Sequence, residues 1–157
     1  MPKPSLRSAI QPGASLVLDT SVALAYLTGT EATSERATEL FDDCIATGRN
    51  TASLSVVSVQ EILVRPFRAG MASVATAEGF LRHFAEIRLI DVSYDIAREA
   101  ARIRAVSDLR APDALIMATA VITNADMLIT NDRSWLNRAK VAAPDLSICL
   151  FADLGRA

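Results

Sequence analysis

The chain has 157 residues, of which 51% are hydrophobic and 22% charged, and its formal net charge at pH 7 is −2. This size and composition fit one globular domain and exclude a disordered chain, while the charge excludes a global attraction for nucleic acid. Two distant cysteines exclude a disulfide framework or a zinc site. No apolar run reaches the roughly 18 residues of a membrane span or forms a secretory signal, so we expect a cytoplasmic protein.

Residues 1–14 contain three prolines and one glycine and are predicted to be an N-terminal extension outside the fold, with the domain running over 15–157. Strand-like runs alternate with longer helical patterns through that domain. Predicted strands cover 15–19, 51–54, 88–92, 127–130 and 146–151, and predicted helices cover 21–28, 34–47, 56–69, 73–86, 94–107 and 112–124. This alternation predicts an α/β fold in which a parallel sheet of four to five strands is flanked by helices.

Two aspartates follow predicted strands. Asp19 ends the first strand, and Asp132 comes two residues after the fourth. Because ligands bind beyond the carboxyl ends of parallel strands, we expect both side chains at one functional edge of the sheet. A turn or cap would explain Asp132 equally well. Asp19 is harder to explain in that way, since Thr20 or Ser21 could cap the next helix without burying a charge.

Two further acids lie on predicted helices. Glu61 shares a helical stripe with two valines, which places it at the edge of the core or in a cleft. A border ion pair with Arg65 would explain the same spacing. Asp113 follows a proline in the first turn of its helix, where an aspartate also complements the helix dipole. Both acids are therefore candidates for the same edge, with a structural explanation open for each.

Four converging carboxylates would need a cation. Two unit charges 4 Å apart repel by about 4 kcal/mol at an effective dielectric constant of 20, so such a cluster persists only when it is protonated or neutralised. Ligand sets made only of oxygen favour Mg²⁺ or Mn²⁺ over zinc. A metal held by carboxylates, without a catalytic cysteine or histidine, is suited to phosphodiester hydrolysis by metal-activated water.

Four segments in order, "LVLDTSVALAYL", "SVQEIL", "APDALIMATA" and "MLITNDRSW", resemble the PIN-domain ribonucleases, in particular the VapC-type toxins of bacterial toxin–antitoxin pairs. The resemblance extends over about residues 15–151. It implies a PIN-like three-layer α/β sandwich and a Mg²⁺-dependent endoribonuclease, with Mn²⁺ as a possible substitute. It also implies an RNA substrate, a small cognate antitoxin and a homodimer.

The resemblance assigns site residues by position. The catalytic acids would be Asp19, Glu61, Asp113 and Asp132, with the metal on Asp19, Asp113 and Asp132. Supporting hydrogen bonds would come from Ser21, Thr130 and Asn131.

Four arginines follow or precede these acids closely. Arg65, Arg68, Arg110 and Arg133 are predicted to ring the cleft and to contact RNA phosphates. Charge balance for the acidic cluster is the alternative explanation. The only histidine, His83, lies far from every motif, so we do not expect a histidine-based mechanism.

Two other functions share part of this pattern. A phosphatase of the haloacid-dehalogenase type also begins with a strand ending in aspartate, but it needs a second acid two residues later, where this chain has Ser21. A receiver-like domain is disfavoured in the same way, because no lysine is well placed. A non-catalytic binding module with the PIN fold is the third hypothesis, and RNA cleavage in Mg²⁺ against EDTA would distinguish it.

Overall fold

A computed structural model describes residues 5–30 and 32–155 of the chain. Within these ranges five strands form one sheet: β1 (Ser15–Leu18), β2 (Thr51–Ser55), β3 (Ile87–Ile90), β4 (Met127–Thr130) and β5 (Ile148–Leu150). All neighbouring pairs are parallel, and the order across the sheet is β3-β2-β1-β4-β5. The predicted α/β class and the parallel sheet are confirmed.

The helices lie on both faces of the sheet. In the described ranges they are α1 (Leu6–Ala9), α2 (Thr20–Thr28), α3 (Ser34–Thr38), α4 (Val56–Ala69), α5 (Met71–His83), α6 (Tyr94–Val106), α7 (Ala111–Ile122) and α8 (Ser134–Ala142). A π-helix, Glu39–Ile45, continues directly from α3. None of these helices is long and apolar enough to cross a membrane.

Alternation along the central strand divides the core into two layers. Leu16 and Leu18 of β1 point to one face, where they join apolar residues of α1, α2, α4, α5 and the π-helix. Val17 points to the other face and packs with α6, α7 and α8, including the buried Trp135. Side chains of a strand alternate between faces, so a sheet covered on both sides needs apolar residues at successive positions. This arrangement is the predicted three-layer sandwich.

Local signals in the sequence position the helices beside the sheet. The Ser55 hydroxyl accepts a hydrogen bond from the Val57 backbone N–H at 3.3 Å and caps α4. Ser93 caps α6 in the same way, through Ile96 N–H at 3.2 Å. Pro112 stands in the first turn of α7, where its missing N–H costs nothing. Serine and proline thus define where α4, α6 and α7 begin, and two of these helices, α4 and α7, carry Glu61 and Asp113.

The N-terminal segment corrects a prediction. Residues 1–14 are predicted to lie outside the fold, but among the described residues of this segment Leu6 and Ile10 are fully buried in the first core layer. Polar contacts hold the segment in place, since the Arg49 guanidinium donates to Ile10 O at 2.8 Å and the Asn50 amide donates to Gln11 O at 2.8 Å. Burying two large apolar side chains outweighs the turn-forming prolines. Residues 1–4 lie outside the described residues, and a domain boundary at residue 14 stays a prediction.

Other differences concern the ends of elements. The strand predicted at 88–92 begins one residue earlier and ends at Ile90, and the strand predicted at 146–151 is confined to Ile148–Leu150. The helix predicted over 34–47 is divided into α3 and the π-helix. Helix α8 was not predicted.

Candidate active site

Asp19 lies at the centre of the carboxyl edge of the sheet. It follows β1, the middle strand, and precedes α2 in an extended backbone conformation with φ −69° and ψ 152°. Only 7% of its surface is exposed. A carboxylate in this position is removed from water by the strand before it and the helix after it. Burying a charge is unfavourable unless hydrogen bonds or a cation compensate.

Two hydroxyl groups hold the Asp19 carboxylate. Ser21 Oγ and Thr130 Oγ1 both donate to Asp19 Oδ2, at 2.7 and 2.9 Å. Burial nevertheless raises the pKa of Asp19 above its ordinary value, the negative charge of Asp113 adds to that rise, and these two hydrogen bonds oppose it. A carboxyl group in this state would gain strongly from a nearby cation, which favours its ionised form.

The loop after β4 is tied to the start of α2. Thr130 Oγ1 accepts a hydrogen bond from the Asp132 backbone N–H at 3.0 Å, while it donates to Asp19. The Asn131 backbone N–H donates to Ser21 Oγ at 3.2 Å. The three residues predicted to support the acids therefore link β1, β4 and α2 at one place. Asp132 itself stays exposed, and its Oδ1 accepts from Ser134 N–H at 2.9 Å.

Glu61 reaches the same region from α4. The Thr20 hydroxyl donates to Glu61 Oε2, and Thr20 Oγ1 also lies 2.8 Å from the hydroxyl oxygen of Ser58, which is buried. Sequence reasoning named neither Thr20 nor Ser58 as a partner of this glutamate. The available signal was the serine three residues before Glu61, which places both on one face of the helix.

Asp113 occupies the first turn of α7 and pairs with Arg110. Arg110 Nε lies 3.1 Å from Asp113 Oδ2, and the arginine side chain is 79% exposed whereas the aspartate side chain is 14% exposed. The exposed guanidinium can therefore move away from the carboxylate without breaking buried contacts. An exposed pair of this kind contributes little to stability.

All four predicted acids line one cleft. It has a volume of about 490 Å³, and its walls include Asp19, Glu61, Asp113 and Asp132 together with Arg110. Within the described part of the chain, no three Asp, Glu, His or Cys side chains stand close enough to hold a single ion together. The acids thus face the same space from four different elements.

The donor chemistry of the cleft fits a hard divalent cation. The acids present only oxygen atoms, which Mg²⁺ and Mn²⁺ prefer, and the cleft contains no cysteine or histidine. The buried Asp19, whose pKa is raised by burial and by Asp113, is a carboxylate that a cation would stabilise. The assignment of the ion to Asp19, Asp113 and Asp132 stays a prediction, since these side chains share the cleft without converging on one point in the described residues.

The predicted RNA-binding arginines do not all reach the cleft. Arg110 lines it, whereas Arg65 lines a neighbouring groove of about 270 Å³ between α2, α4 and α5. Arg68 is exposed near the end of α4. Arg133 forms an exposed ion pair with Asp153 at 3.2 Å. Of the four, Arg110 is the one placed against the acids, and RNA contact by any of them stays a prediction.

The PIN domain family model matches residues 16–141. The chain therefore belongs to the PIN domain family, and the resemblance seen in the four sequence segments is confirmed at that level. No curated protein matches the sequence.

Solved structures share the fold at low identity. VapBC2 from Rickettsia felis, bound to a DNA fragment from their promoter, is similar with a TM-score of 0.64 and 18% identity, over 87% of this chain and 98% of that one. VapC20 of Mycobacterium tuberculosis, a toxin that cleaves the sarcin–ricin loop, is similar with a TM-score of 0.64 and 17% identity. The match covers 78% of this chain and 93% of that one. A toxin–antitoxin complex from Klebsiella pneumoniae is similar with a TM-score of 0.56 and 20% identity, over 85% of this chain and 95% of that one.

Proposed function

We propose that this PIN domain is a metal-dependent endoribonuclease and the toxin of a toxin–antitoxin pair. The observation that carries the proposal is the cleft itself, in which four carboxylates from β1, α4, α7 and the loop after β4 face one space. Asp19 is buried there near the charge of Asp113. Burial is the main cause of its raised pKa, and the negative charge of Asp113 raises that pKa further. A buried carboxylate beside a second negative charge is unfavourable unless a cation compensates, which supports a metal-binding role for the cleft.

The side chains would divide the chemical work among them. A bound Mg²⁺ or Mn²⁺ would supply Lewis acidity and lower the pKa of a water molecule so that it can attack phosphorus. Asp19, Asp113 and Asp132 would serve as its ligands. Glu61, which Thr20 holds at the cleft, would orient the attacking water and accept its proton.

RNA would be held by local contacts rather than by overall charge. The net charge of −2 provides no general attraction, so each favourable phosphate contact must come from a side chain near the cleft. Arg110 is well placed, since it lines the cleft and is mostly exposed. Its guanidinium could exchange the single contact with Asp113 for a phosphate group, whose oxygens it could contact in bidentate fashion.

The toxin assignment is supported by structural likeness. The similar solved structures include VapBC2 and a toxin–antitoxin complex, and VapC20 is a toxin that cleaves RNA. We extend from them to this chain an antitoxin partner and an RNA substrate. The homodimeric state and the place in the cytoplasm that were expected from the sequence belong to the same proposal.

The alternative phosphatase lacks a necessary group. Haloacid-dehalogenase chemistry needs an acid two residues after the first aspartate. Here that position is Ser21, whose hydroxyl donates a hydrogen bond to Asp19. A non-catalytic PIN module is the remaining alternative, and a cleavage assay distinguishes it from a nuclease.

The test is cleavage of a panel of structured RNAs in Mg²⁺ or Mn²⁺ and in EDTA. Wild type should cleave only with the metal, and Asp19→Asn should lose cleavage while it remains folded. Asp145→Asn is the matched control, because this exposed aspartate lies away from the cleft in the loop between α8 and β5. Cleavage in EDTA, or equal cleavage by Asp19→Asn, would overturn the mechanism. Absence of cleavage throughout would favour the binding module.

A further inference from the structure

Arg138 on α8 joins the segment between α6 and α7 to the first residue of its own helix. Its Nε donates to Asp108 Oδ1 at 2.7 Å, and its Nη2 lies 3.4 Å from Asp108 Oδ2. On its other side, Nη1 donates to Ser134 Oγ at 2.7 Å. The rigid guanidinium fork thus makes contacts in two directions, which a flexible point charge could not maintain at once.

Each partner of Arg138 leads to one of the acids. Asp108 lies between α6 and α7, in the segment that runs into Asp113. Ser134 begins α8, and its backbone N–H donates to Asp132 Oδ1 at 2.9 Å. Asp113 and Asp132 are on different elements, α7 and the loop after β4. Arg138 thus ties the chain segment that precedes Asp113 to the helix start that holds Asp132.

We infer that Arg138 is a positioning residue that fixes the relative placement of Asp113 and Asp132 and thereby strengthens binding of the divalent cation. The inference rests on the proposed metal-dependent function. Arg138 does not line the cleft, so it would act through its two partners and not by touching the ion or the RNA. Its side chain is 33% exposed, against 83% for Asp108, so the arginine is the more enclosed member of the pair.

The sign of the charge effect makes the inference testable. The hydrogen-bonded carboxylate of Asp108 raises the pKa of Arg138 most, and the negative charges of Asp132 and Asp113 raise it further, so Arg138 faces the acidic cluster as a cation. A fixed positive charge near a metal site opposes binding of another cation. If charge were its only influence, neutralising Arg138 would strengthen metal binding. Loss of positioning would weaken it.

The experiment measures Mn²⁺ binding to the full chain by calorimetry, without RNA. Arg138→Gln should weaken binding about tenfold, the lower end of the range for groups that orient metal ligands. Arg138→Lys keeps the charge but cannot hold Asp108 and Ser134 together, so it should also bind more weakly than wild type. Lys140→Gln is the matched control, because it removes one positive charge from an exposed position of the same helix and should bind as wild type does.

Two results would overturn the inference. Tighter or unchanged Mn²⁺ binding by Arg138→Gln, with Arg138→Lys like wild type, would reduce Arg138 to a nearby charge and leave the proposed nuclease intact. A wild-type chain that binds no Mn²⁺ would overturn the metal-dependent function together with this role. Thermal melts of all variants establish that they are folded, and Arg138→Lys carries the test if Arg138→Gln does not fold.

Discussion

The Thr20 hydroxyl donates a hydrogen bond to Glu61 Oε2 and so connects the first turn of α2 with α4. The next residue, Ser21, donates to Asp19 at 2.7 Å. Two consecutive hydroxyl residues therefore hold two different acids of the cleft. Although Asp19 and Glu61 lie on different elements, the first turn of α2 orients both side chains through these two hydrogen bonds.

Replacing Thr20 by valine should detach Glu61 from α2 with little change in volume. We expect RNA cleavage to fall about tenfold, as for other groups that orient metal-site carboxylates. Removal of the hydroxyl also deprives the buried Ser58 of its partner, which should cost about 1–3 kcal/mol of unfolding free energy. Thr20→Ser keeps the hydroxyl and should cleave nearly as wild type. Equal losses in both variants would show that the methyl group matters and the hydrogen bond does not.

In EDTA, the unfolding free energy should decrease as pH rises through the pKa of Asp19. Burial, followed by the charge of Asp113, raises that pKa in the folded chain, so the folded state keeps a proton that the unfolded state has already lost. The stability from this group is therefore present at acidic pH and is lost on the alkaline side.

Asp19→Asn should remove this part of the pH dependence and raise stability at neutral pH on the order of 1 kcal/mol. Urea denaturation at a series of pH values measures both effects, with Asp145→Asn as the control for loss of an exposed carboxylate. Parallel pH profiles of wild type and Asp19→Asn would contradict the prediction.

Arg110→Gln should weaken RNA binding about equally for unrelated sequences, since phosphate contacts position the chain and do not specify bases. The slope of log affinity against log salt should decrease by roughly 0.7 to 0.9 for the lost contact. Ca²⁺ replaces Mg²⁺ in the titration to permit binding without turnover. Arg133→Gln serves for comparison, because Arg133 pairs with Asp153. If both variants keep the wild-type slope, these arginines balance charge and RNA binds elsewhere.

Expression of the wild-type chain alone in bacteria should arrest growth, and co-expression of its small antitoxin should restore growth. Asp113→Ala should be harmless, because it removes one acid of the cleft, yet it should still bind the antitoxin through a mainly apolar contact. Growth curves and co-purification measure the two properties separately. Growth arrest by Asp113→Ala equal to that by wild type would contradict nuclease toxicity.

Two acids of the cleft could be predicted from the sequence because each follows the carboxyl end of a strand. Parallel strands place their carboxyl ends together, so Asp19 and Asp132 had to share an edge once β1 and β4 were identified. Glu61 was recognisable from its position on an amphipathic helix. Periodicity made these acids candidates with structural alternatives, and the resemblance to PIN-domain ribonucleases assigned them to the site.

Contacts between distant segments were not predictable in this way. Arg138 and Asp108 are 30 positions apart and belong to elements whose mutual orientation no local pattern defines. The choice of Thr20 for Glu61 depends on side-chain directions within one helical turn, whereas the supporting role of Ser21 came from the family resemblance. Helix α1 is only four residues long, too short for a hydrophobic repeat, so the burial of Leu6 was not visible either.

The first core layer uses both ends of the described chain. Leu6 and Ile10 pack in the same layer as Phe151 and Leu154, and all four lie outside residues 16–141, the part that the family shares. A fragment cut to that shared range would keep the whole acidic cleft, but it would lose strand β5 as well as these four apolar side chains of the core. We expect such a fragment to aggregate or melt early, and the smallest independently folding unit to be larger than the segment that identifies the family.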